Sequence, residues 1–203
     1  MKIKVCGLTS PKEAAYLNKN QIDFAGFVLF FPKSKRNITI TQAKEIMTEL
    51  NPSIQKVAVV VSPTPAQAKE ICNAGFDYIQ IHGQLEADVL SILTIPVLKA
   101  FNIKDMDQFQ TYQACPQIKG YVFDAQEPGS GTVFDWNLIS HIPHDDKLFL
   151  LAGGLNPDNV TKAIQTLSPD GVDVSSGVEY GKEIVGKDPA KIDAFVTAVR
   201  TFL

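Results

Sequence analysis

The 203-residue sequence predicts a (β/α)8 barrel forming one domain over residues 1–203. Three observations predict it. Eight short β-branched or aromatic runs alternate with amphipathic stretches, and their carboxyl ends fall roughly 20 to 30 residues apart, the spacing of βα units. The runs are nearly continuous in apolar residues, as parallel strands covered on both faces must be. No GxGxxG follows the first run, which disfavours a doubly wound open sheet, the competing architecture.

In chain order the runs are IKVC (3–6), FAGFVLF (24–30), KVAVVV (56–61), YIQI (78–81), PVLKAF (96–101), YVFD (121–124), LFLLAG (148–153) and VDVS (172–175). Helices are expected between them, for example over 41–50, 64–75, 156–167 and 188–203. Several carry a cap residue followed by proline, whose missing N–H costs nothing in a first turn: Ser10-Pro11, Thr64-Pro65, Asn156-Pro157 and Asp188-Pro189. Neither a linker nor a low-complexity segment appears.

Composition narrows the function. A net charge of −3 with no run of like charges gives no footprint for nucleic acid. Nowhere do about 18 apolar residues run together, and the amino terminus lacks a signal-peptide core, so the expectation is a cytoplasmic protein without membrane contact. The three cysteines, Cys6, Cys72 and Cys115, are widely and irregularly spaced, which implies free thiols and no metal site. Apolar helix residues do not separate core from interface, so monomer and homodimer both stand.

In such a barrel the active site lies at the carboxyl ends of the strands. Here those positions supply Cys6-Gly7, the segment Pro32 to Arg36, His82-Gly83, Asp124, Gly153-Gly154, and Asp173 with Ser175-Ser176-Gly177. The two glycine-bearing turns follow the seventh and eighth strands, where backbone N–H groups of barrels often hold phosphate. A thiol such as Cys6 serves either as a small buried hydrophobe or as a base. An aspartate closing YVFD is costly to bury unpaired, so Asp124 is expected at the barrel mouth. Arg36 is either a solvated loop residue or a two-pronged grip for a carboxylate, a grip that Lys33 and Lys35 cannot make. His82 reads as structural or as a support for neighbouring groups ahead of a base, and Asp173 as a candidate ion-pair partner inside the barrel with its role open. Cys72 and Cys115 fall in a helix and a loop.

The order KVCGLT, GFVLFFPKSKR, VAVVV, IQIHG, FDAQEPGSGTVFDW, LLAGGLNPDNV, VDVSSGVE resembles the phosphoribosylanthranilate isomerase family of tryptophan biosynthesis, from residue 4 to about 195. The resemblance implies a cofactor-free Amadori rearrangement of N-(5-phosphoribosyl)anthranilate to 1-(2-carboxyphenylamino)-1-deoxyribulose 5-phosphate. It implies Cys6 as general base, Asp124 as general acid and Arg36 as holder of the anthranilate carboxylate. Gly153, Gly154, Ser175, Ser176 and Gly177 would hold the phosphate, with His82 also among the substrate-binding residues. A thiolate base implies nearby positive charge to favour it.

This chain departs from the family pattern at Pro128 in a shortened loop after Asp124, in a longer 177–189 stretch lacking the usual proline, and at Ser62, where asparagine is frequent. Two other readings fit the sequence: a barrel acting on a related sugar phosphate, and a barrel that binds a phosphorylated metabolite without turnover. A binding module would need the phosphate turns and Arg36 but not an acid and base pair.

Overall fold

A computed structural model describes residues 1–102, 106, 108–124, 145–181 and 184–202. Eight parallel strands close on themselves: β1 (Lys2–Cys6), β2 (Phe24–Leu29), β4 (Gln55–Val61), β5 (Tyr78–His82), β6 (Val97–Asn102), β7 (Ile118–Asp124), β8 (Leu148–Leu151) and β9 (Gly171–Val174). Each pairs with the next around the ring, and β1 meets both β2 and β9 to close it. A two-residue strand, β3 (Asn37–Ile38), pairs with the end of β2 outside the ring; the sequence pattern does not reveal it. The helices are α1 (Lys12–Lys19), α2 (Ile40–Glu49), α3 (Pro65–Cys72), α4 (Ala87–Ile92), α5 (Phe109–Gln113), α6 (Val160–Leu167) and α7 (Pro189–Thr201). Among the described residues, no helix is long and apolar enough to cross a membrane.

Two apolar layers follow from strand pleating. Outward residues such as Ile3, Val5, Phe27, Ile79 and Val172 pack under the helices. Inward residues, Cys6, Val57, Val59, Leu98, Val122 and Leu150 among them, fill the barrel. Gly26 lies opposite Cys6 in the β1–β2 register, and a Cβ there would come within 2.9 Å of the Cys6 sulfur. The glycine thus makes room for the thiol.

Two of the four cap–proline pairs act as expected. Thr64 closes a capping box with Gln67, and the Asp188 carboxylate accepts from the N–H groups of Ala190 and Lys191. The other two stand ahead of the cap position, although the Ser10 hydroxyl still accepts from Lys12 N–H at 3.4 Å. Pro11 itself occupies the cap position of α1, and the buried Glu13 carboxylate satisfies the N–H groups of Thr9 and Ser10 from within the helix. Asn156 spends its side chain on the N–H groups of Asp158 and Asn159, an Asx turn that delays α6 to Val160.

Candidate active site

The carboxyl ends of the strands open on a cavity of about 1240 Å³. Its walls include Cys6, Arg36, His82, Asp124, Gly153, Gly154, Ser175, Ser176 and Gly177, which is every site residue expected from the sequence. The predicted loop after Asp124, with Pro128, lies outside the described residues.

Cys6 ends β1, and its carbonyl accepts a hydrogen bond of 2.9 Å from the Ser175 hydroxyl, tying the first strand to the turn after β9. Lys4, two residues earlier and hence on the same strand face, is fully buried inside the barrel. Its ammonium donates to Asp173 Oδ2 at 2.7 Å and lies against the thiol. Burial alone would lower Lys4, but Asp173 and Cys6 outweigh it and hold its pKa above the usual lysine value. The expected positive charge beside the cysteine is therefore present. Its effect is outweighed: burial pushes the Cys6 thiol up and Asp173 adds to this, while Lys4 and Lys187 pull the other way.

Arg36 sits in the loop between β2 and β3. That loop is pinned by Phe31 N–H donating to Asn37 Oδ1 at 2.7 Å and by Arg36 N–H donating to Ser34 Oγ. The stem of Arg36 runs across Gly7, whose φ of +82° suits glycine and where a Cβ would come within 2.5 Å of Arg36 Cδ. The guanidinium is already engaged, which the sequence did not suggest. Its Nε and Nη2 donate to the two oxygens of Glu179, the latter at 3.2 Å. Lys35 at 2.9 Å and the buried Lys187 at 3.1 Å complete a ring of three cations around this carboxylate. Burial pushes Glu179 up, but the Arg36 hydrogen bond and the neighbouring lysines dominate and bring it down to about 2.

The long 177–189 stretch folds back on itself through an antiparallel bridge between Glu179 and Lys187, with Asp188 N–H donating to the Val178 carbonyl at 2.8 Å. This is how a loop without the family's proline brings Glu179 to the cavity wall, with Lys187 buried behind it. Gly177 starts it in the tightest contact of the site, since a Cβ would stand 2.0 Å from the Leu155 carbonyl oxygen. The turns after β8 and β9 are thereby interlocked. Gly153 and Gly154 both have left-handed φ, +84° and +68°, and Asn159 Nδ2 holds the Gly154 carbonyl at 2.9 Å. Among the described residues, the backbone N–H groups of Gly153, Gly154, Ser176 and Gly177 find no acceptor, the arrangement an anion needs.

His82 ends β5. The Gln80 side-chain amide lies 2.9 Å from its Nε2 and shares a hydrogen bond with it. Burial, with Lys4 and Lys99 nearby, lowers its pKa to about 3, so it is neutral and unsuited to proton transfer at pH 7. Ser62 adopts a left-handed φ of +43°, a conformation that asparagine tolerates well, and its hydroxyl accepts from Gln84 N–H at 3.0 Å. Cys72 ends α3 and Cys115 follows α5, both as free thiols away from the cavity.

A (β/α)8 barrel whose mouth gathers a thiol, a carboxylate, an arginine and free backbone amides is an enzyme of the small-molecule barrel class. A family model described as N-(5'phosphoribosyl)anthranilate (PRA) isomerase matches residues 3–198, and the chain belongs to that family. It is 36% identical to N-(5'-phosphoribosyl)anthranilate isomerase of Moorella thermoacetica, over 98% of this chain and 90% of that one. Among solved structures it resembles monomers made from the dimeric phosphoribosylanthranilate isomerase of Thermotoga maritima, with a TM-score of 0.82, 32% identity and 99% coverage of both chains. It likewise resembles a phosphoribosyl anthranilate isomerase in complex with reduced 1-(o-carboxyphenylamino)-1-deoxyribulose 5-phosphate, with a TM-score of 0.80, 30% identity and 99% coverage of both.

Proposed function

We propose that the chain converts N-(5-phosphoribosyl)anthranilate to 1-(2-carboxyphenylamino)-1-deoxyribulose 5-phosphate, with Cys6 as general base and Asp124 as general acid. One observation carries the reading. A thiol from β1 and a carboxylate from β7, three strands apart around the ring, line one cavity with Arg36 at one side and free amides from two interlocked turns at another. That spread suits a substrate with a carboxylate at one end and a phosphate at the other.

In the proposed cycle the phosphate lies on the amides of Gly153, Gly154, Ser176 and Gly177, with the Ser175 turn supporting them. The anthranilate carboxylate takes the edge of Arg36 that Glu179 leaves free. Asp124 gives its proton to the ring oxygen as the C1–O bond breaks and nitrogen electrons form the C1=N bond. The Schiff base acidifies the C2 hydrogen, and Cys6 as thiolate removes it, leaving an enolamine. Protonation at C1 and loss of the C2 hydroxyl proton then give the ketone, with no net change in oxidation state. Lys4 stabilises the thiolate by charge, and neutral His82 lines the pocket without exchanging a proton.

The test is turnover by the purified protein, followed as loss of anthranilate fluorescence from substrate generated in situ. Loss of signal with wild type and a drop of about 10² or more in Cys6→Ser and Asp124→Asn supports the reading. A folded wild-type protein that binds the product analogue but turns nothing over would favour the non-catalytic barrel instead.

A further inference from the structure

We propose that Glu179 is a positioning residue for Arg36, one that turns the guanidinium so that its free edge receives a carboxylate on the substrate. The inference rests on the isomerase reading, which supplies a substrate with a carboxylate beside an aromatic amine.

A guanidinium offers two edges to a planar anion, the side-on edge of Nε with Nη2 and the end-on edge of Nη1 with Nη2. Glu179 takes the side-on edge with both of its oxygens. Nη1 makes no hydrogen bond among the described residues, and the arginine lines the cavity. Its plane is thus set from two directions, by the stem passing over Gly7 and by the carboxylate of Glu179.

A bare carboxylate in that place would repel an incoming one. Here Arg36 and Lys35 line the cavity beside it and Lys187, whose pKa burial lowers, backs it from within, so positive charge at the cavity wall outweighs the single carboxylate and the cluster stays attractive to an anion. Lys187 is held in turn by the Ser175 carbonyl at 3.2 Å, which joins the carboxylate receptor to the turn proposed to bind phosphate. Glu179 does not touch the substrate in this account. It acts through Arg36, converting a long flexible cation into a receptor with one orientation.

The test compares two ligands on wild type, Glu179→Gln and Glu179→Asp: reduced 1-(o-carboxyphenylamino)-1-deoxyribulose 5-phosphate, and its counterpart lacking the ring carboxyl. Isothermal titration gives Kd for each pair. Glu179→Asp keeps the charge, shortens the reach, and guards against loss of folding in the glutamine variant. Expected is a rise in Kd of roughly tenfold or more for the carboxylated ligand in both variants, with less than about threefold for the other ligand. An equal loss on both ligands, or none on either, overturns the positioning role while leaving the isomerase reading intact. Failure of wild type to bind either ligand sinks the isomerase reading and this inference with it.

Discussion

Lys4 Nζ stands 2.7 Å from Asp173 Oδ2, in a β1–β9 register that sets the two residues side by side, with the thiol of Cys6 against the ammonium. Both charged side chains are almost sealed from solvent, so neither can lose its partner without leaving a buried charge behind.

Replacing one partner should therefore cost far more than replacing both. Lys4→Met is expected to lose about 3–5 kcal/mol of stability in urea unfolding, whereas Lys4→Met with Asp173→Leu recovers most of it. Activity separates structural from chemical roles: the double variant should stay slow although it folds. A double variant with wild-type turnover would show that the pair serves packing alone.

The thiol's pKa dictates a pH dependence. Burial pushes Cys6 above its ordinary range of about 8.5, so kcat/KM is expected to keep rising as pH climbs past neutrality. Lys4 pulls the thiol down, so the Lys4→Met/Asp173→Leu variant loses one lowering and one raising charge. Its acid limb should move less than that of Lys4→Met, which should move upward. An acid limb unmoved by Lys4→Met contradicts the electrostatic role given to Lys4.

His82 should matter for acid stability more than for chemistry. The unfolded chain takes up a proton near 6.5 and the folded site only near 3, so the folded state loses stability as pH falls from about 6.5 towards 3 and keeps it above 6.5. Thermal midpoints recorded from pH 7 to pH 4 should fall less steeply for His82→Gln than for wild type. Turnover of this variant at pH 7 should stay within about tenfold of wild type, below the contribution typical of a general acid or base.

Gly177 and Gly181 give a matched pair of substitutions in one loop. Gly177→Ala drives a methyl group into the Leu155 carbonyl, 2.0 Å away, while Gly181→Ala meets nothing within 4 Å. We expect KM to rise at least about tenfold for Gly177→Ala, as the proposed phosphate turns separate, and stability to change within about 0.5 kcal/mol for Gly181→Ala. Steady-state kinetics with chemical denaturation checks both.

The ring of strands and the mouth residues were legible because strand ends are local features: an apolar run stops, and the next polar residue faces the mouth. Cys6, Asp124 and the glycine turns follow from that rule alone. Lys4 was also within reach, since two-residue parity puts it on the face of Cys6, but a lysine inside a barrel looks improbable until its partner Asp173 is seen across the register. Glu179 was not readable, because its meeting with Arg36 joins loops 143 residues apart. Ser10 and Asn156 differ from expectation for a local reason: Pro11 takes the cap position of α1 although the Ser10 hydroxyl still accepts from Lys12 N–H, and the Asx turn of Asn156 precedes the start of α6.

Removal of the C2 hydrogen by Cys6 is read out by a substrate carrying deuterium at C2. Single-turnover rates are followed in wild type and Cys6→Ser, with binding of the reduced product analogue as the check on an intact pocket. Expected are a primary isotope effect in wild type and a rate at least about 10² lower in Cys6→Ser at unchanged affinity. A Cys6→Ser enzyme that binds the analogue normally and turns over the substrate at the wild-type rate would contradict it.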